Sequence, residues 1–133
     1  MADWDNIWTF MHENYQVEDL SPRAMQVTFE TPGNRSQLVW VTFAEDGKDQ
    51  PWAQIDSPVG QLGSVDLVQA LFLVENMTCG GLCHVKVKGV DLVTIRHCVP
   101  LANLDPNEFV DPLALITLAA DSLEADLTGA DAL

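Results

Sequence analysis

Positive charge is scarce in this sequence: 6 Lys and Arg stand against 20 Asp and Glu in 133 residues, for a formal net charge of -14. Attachment to a nucleic-acid backbone or an anionic membrane surface needs summed positive potential, so neither is an expected partner. Long apolar runs are also missing. The longest, Ala70 to Val74, is five residues, far below the roughly 20 of a membrane span. Cysteine is sparse and odd in number; three thiols cannot all pair within one chain, which suits a reducing compartment. The first residues, Met1-Ala2-Asp3-Trp4-Asp5, lack the basic and apolar stretches of a secretion signal. These absences predict a cytoplasmic protein with no nucleic-acid partner and no membrane partner.

What is there suffices for a core. Apolar residues make up 47% of the chain, and a chain of this length buries about two thirds of its unfolded surface. One domain over residues 1–133 is expected, needing neither metal nor disulfide, with a frayed tail after about 128. Trp4, Ile7, Trp8, Met11 and Tyr15 form one stripe of a short helix capped by Asp3. From Ala24 the period becomes two: Met25, Val27 and Phe29 alternate with Gln26, Thr28 and Glu30. Further strands are expected over Gln37–Ala44 and Trp52–Asp56, the last stopping before Pro58. Ser64 is read as the cap of a helix reaching about Asn76, whose Leu73 falls on the polar side with Asp66, Gln69 and Asn76. Cys83–Val87 and Leu92–Val99 read as a hairpin. Asp105, Pro106 and Glu108 announce a last helix, kinked or restarted at Pro112 and ended by Gly129. Short links between the early strands favour antiparallel pairing and an α+β fold.

Two stretches carry a resemblance: Trp52-Ala53-Gln54-Ile55-Asp56-Ser57-Pro58-Val59-Gly60, a short strand ending in a loop, and Leu101-Ala102-Asn103-Leu104-Asp105-Pro106-Asn107-Glu108, which opens the last helix. In joint order they resemble the YbjN-like branch of the type III secretion chaperone-like fold, over roughly Trp4 to Leu127. The segment Met77 to Cys83 and Pro112 depart from that pattern. The resemblance implies an α+β fold, ordered helix, three strands, helix, two strands, helix. Its antiparallel sheet would carry the helices on one face. It also implies a protein-binding or regulatory role, dimerisation and no catalytic residues.

The residues themselves offer little catalytic chemistry. Cys79, Cys83, His84, His97 and Cys98 cluster in sequence, yet strand alternation sends Cys83 and His84 to opposite faces, and His97 and Cys98 likewise. A tetrahedral metal needs convergent ligands, so no metal and no cofactor are expected. His12 lies outside the tryptophan stripe and is expected to face solvent. Gly60 to Ser64 precedes a helix but lacks the lysine of a nucleotide loop, and no nucleophile elbow or metalloprotease motif occurs. No enzyme is predicted.

Candidate binding residues are few. Trp40 and Trp52 fall on the strand face opposite Val41, Phe43, Ala53 and Ile55, among polar neighbours, and aromatic residues concentrate binding energy. Strand parity is read as placing Lys86, Lys88 and Arg96, half of all basic residues, on one hairpin face together with His84. That is either a solvated face or a contact for an acidic partner. With Leu73, these residues predict a non-catalytic protein-binding or regulatory domain acting as a homodimer. One alternative is a chaperone or adaptor holding an amphipathic client segment. Another is a small metal-binding protein or enzyme.

Overall fold

The computed structural model describes residues 3–128. Trp4–Asn14 forms helix α1. The Asp3 carboxylate accepts from the Asn6 backbone N–H at 2.9 Å while the Asn6 side chain accepts from the Asp3 N–H at 3.1 Å, a reciprocal capping box. Ile7 and Met11 are the buried members of the aromatic stripe; Trp4 meets Phe43 edge-on at its margin.

Six strands follow in one sheet: β1 (Glu18–Ser21), β2 (Ala24–Thr31), β3 (Arg35–Glu45), β4 (Pro51–Gln61), β5 (Gly81–Val87) and β6 (Val90–Pro100). Their spatial order is β1-β2-β3-β4-β6-β5, antiparallel throughout, so the class is the expected α+β. β1 is an addition to the strands expected: its four exposed residues show no apolar alternation. β4 continues through Pro58, where the sequence predicts a stop. A register shift between Pro58 and Gly60 forms a bulge there, which accommodates a residue lacking an N–H.

One sheet face is the core. Met25, Val27, Val39, Val41, Ala53, Ile55, Val93 and Ile95 pack with Ile7 and Met11 of α1 and with Phe109, Leu113, Ile116, Ala120 and Leu123. The latter belong to helix α3 (Pro106–Thr128), whose Glu108 carboxylate accepts from the Asp105 N–H at 3.0 Å. α3 continues through Pro112, its seventh residue, so the helix does not restart at that proline. Arg35 fastens its far end, donating to Asp121 Oδ1 at 3.1 Å and to the buried Glu124 at 3.3 Å. The expected stop at Gly129 and the tail beyond about 128 lie outside the described residues.

Helix α2 (Leu67–Leu73) is shorter than expected. Asp66 caps it, accepting from the Gln69 N–H at 3.1 Å, while Ser64 belongs to a preceding 3-10 turn. A carboxylate placed at the N-cap displaces the hydroxyl two residues earlier.

Candidate functional site

The sheet face away from the helices carries a row of directly opposed residues that crosses every strand: Glu18, Gln26, Trp40, Asp56, Arg96 and Gly81. Side chains opposed across antiparallel strands are near neighbours, and here they are bonded in two groups. Gln26 donates to Glu18 Oε2 at 3.0 Å, and the Trp40 indole N–H donates to Gln26 Oε1 at 2.9 Å. Asp56, 3% exposed, accepts from Thr94 Oγ1 at 2.9 Å, from Gln54 Nε2 at 3.0 Å and from Arg96 Nε at 2.9 and 3.1 Å. Both carboxylate oxygens are thereby occupied. Burial pulls the Arg96 pKa down, but the hydrogen bond and charge of Asp56 outweigh it and leave the guanidinium above its ordinary value. Around the row lies a trough of about 520 Å³, lined also by Leu38, Val85, Val87 and Lys88.

The expected binding residues divide between places. Trp40, Lys88 and Arg96 meet at the trough. Trp52 shares their face but turns to Asp46, donating its indole N–H to Oδ2 at 2.9 Å. The common face expected for Lys86, Arg96 and His84 is incorrect. His84 pairs with Val93 and Lys86 with Asp91, on the core side of the sheet, whereas Arg96 pairs with Gly81 on the open side. A hairpin with an even number of turn residues sets even-numbered positions opposite odd-numbered ones, so matching parity across it means opposite faces. Asp91 holds His84 at 2.7 Å and Lys86 at 3.9 Å.

Asp56, Gln54 and Gln26 were legible as polar members of the Trp40 face; their bonding was not. Cys83 and Cys98 share the open face, and both contribute to the charge environment of Arg96. Burial pushes the Cys79 and Cys98 thiols up, which disfavours the reactive thiolate. Among the described residues, no three His, Cys, Asp or Glu side chains gather as a metal site.

Leu73 sits elsewhere, on α2. In that helix only Ala70 is buried. Phe72 is 67% exposed, Val68 66% and Leu71 62%, with Leu67 and Leu73 exposed beside them. The exposure of Leu73 is therefore shared by most of the helix's large apolar residues. α2 packs on α3 through a narrow side and leaves its large residues outside. From Ser57 to Cys83 only Asp66 and Glu75 carry charge.

Comparison with protein-family models, curated proteins and solved structures gives no match. No helix among the described residues is long and apolar enough to cross a membrane.

Proposed function

We propose that the chain is a non-catalytic, cytoplasmic protein-binding or regulatory domain that works as a homodimer joined through α2. The observation that carries this reading is the exposed apolar helix: five large aliphatic or aromatic residues of a seven-residue helix face outward. Contiguous apolar surface of this kind marks interaction sites. The occupant is a second copy, because two chains of charge -14 repel over most of their surfaces and can approach where Leu67–Leu73 carries no charge. A patch that meets itself closes under a two-fold axis. The resemblance to the YbjN-like branch of the secretion chaperone-like fold supports the same role.

Sedimentation equilibrium tests it. The wild-type chain should sediment at twice its 14.6 kDa at micromolar concentration. Phe72→Asp, which places a charge at a solvent-facing position, should return a folded monomer by circular dichroism. A 14.6 kDa particle up to high micromolar concentration, or a dimer untouched by Phe72→Asp, removes the reading.

A further inference from the structure

The trough on the open sheet face has the features of a small-molecule site that the α2 reading leaves unused. Its volume, about 520 Å³, falls in the range of ligand pockets, roughly 300–1,000 Å³. Its walls combine apolar surface (Leu20, Leu38, Trp40, Val85 and Val87) with polar and charged side chains from Glu18 to Arg96. The groups at its centre are held in place. The Trp40 ring is fixed through its indole N–H on Gln26, and Arg96 is fixed through Nε on Asp56.

Arg96 is the informative member. Its Nε–H is spent on Asp56, and the two terminal nitrogens form no hydrogen bond among the described residues. What remains is the end-on fork of the guanidinium, the geometry that takes a carboxylate through two parallel N–H···O bonds. Asp56 does not compete for a ligand, since Thr94, Gln54 and Arg96 occupy its acceptors. It aims the fork and cancels its charge. The uncompensated positive charge at the β5–β6 end comes from Lys88, which has no ion pair among the described residues, while the balancing Glu18 lies on the strand at the opposite edge. The trough is thus polarised along the sheet, basic at the β5–β6 end and acidic at β1.

We infer that this trough binds a small amphipathic carboxylate, its carboxylate on the terminal nitrogens of Arg96 with Lys88 as second cation, and its apolar body against Trp40 and Val85. An anion is drawn to the basic end and repelled from Glu18, so the ligand has one orientation. A free carboxylate fits better than an uncharged amide, which offers one acceptor and no charge.

The probe is 4-phenylbutyrate, titrated into the full chain labelled with nitrogen-15 and compared with 4-phenylbutyramide. Saturable shifts of the Trp40 indole N–H and of the Gln54, Thr94 and Arg96 amides are expected, with the amide about tenfold weaker. Arg96→Lys keeps the charge and loses the fork, and should weaken phenylbutyrate by a similar factor. Should that variant fail to fold, Lys88→Asn remains: it removes a charge at a left-handed turn position that asparagine tolerates, and should weaken binding about threefold. No saturation by about 20 mM overturns the inference. So do equal affinity for the amide, shifts confined to α2, or a Lys88→Asn variant that binds as tightly as wild type.

Discussion

His12 illustrates how much a single side chain owes to tertiary context. It is exposed, as the helical stripe predicts, but it is not idle. Its Nδ1 lies 2.8 Å from the Trp8 carbonyl oxygen, its Nε2 2.7 Å from Asp19 Oδ1, and its ring stacks on Trp8 at 4.6 Å. Both nitrogens face acceptors, and only the imidazolium can donate from both. The pKa is therefore raised above 6.5, chiefly by the Trp8 carbonyl; desolvation opposes, and the Asp19 hydrogen bond and charge add to the rise. A folded value above the unfolded one means a stabilising contribution present in full below the unfolded pKa and lost as pH rises through the folded one. In a proton NMR titration His12 should titrate above 6.5, and Asp19→Asn should bring it down. A wild-type value at or below 6.5 contradicts the geometry. The contact with Asp19 was invisible in the sequence because β1 carries no alternation to announce it.

At the scale of elements, legibility follows from whether a signal is local. The Asp3 and Glu108 caps, the Met25–Phe29 alternation and the α3 stripe are set by neighbours in the chain, and these elements form where expected. Register is not local. Lys88 and Gly89 both have positive φ, 49° and 81°, the signature of a tight type I′ turn. That two-residue turn fixes the pairing Val87 with Val90 and so divides Lys86 from Arg96. The exposure of α2 was not legible for a related reason: periodicity shows which residues are apolar, not whether the fold supplies a cover for them. The junction leaving α2 has its own constraint at Gly80. Its φ is +83°, and an added Cβ would lie 2.5 Å from Ile116 Cδ1 and 3.1 Å from the Arg96 carbonyl oxygen. Gly80→Ala should therefore lower stability by about 1–3 kcal/mol through backbone strain and displacement of α3. Gly47→Ala, with nothing near the new atom, should stay within about 0.5 kcal/mol. Urea denaturation of both variants checks this, and equal midpoints would mean that Gly80 does not sit against Ile116 of α3 as described.

For the whole molecule, charge decides how two copies can meet. Six basic residues are spread thinly: Arg35 is committed to Asp121 and Glu124, Arg96 to Asp56, Lys86 to Asp91, and Arg23 lies over Phe43. Of the acids on the last helix, Asp121 and Glu124 turn inward, which weakens that helix as an acidic mate for a basic patch. Association through α2 and association through opposite charges then respond to salt with opposite sign. Raising sodium chloride from about 0.01 M to about 1 M shortens the screening length from roughly 30 Å to roughly 3 Å. Two chains of charge -14 repel less as it shortens, so a dimer built on uncharged Leu67–Leu73 should tighten, on the order of tenfold. A dimer built on Lys88 and Arg96 against acidic residues should loosen over the same range. Analytical gel filtration at both salt concentrations separates the two, with Phe72→Asp as the control that should stay monomeric at either. Tightening with salt that disappears in this variant identifies α2 as the contact. Loosening with salt moves the interface to the trough's basic end and ends the case for α2.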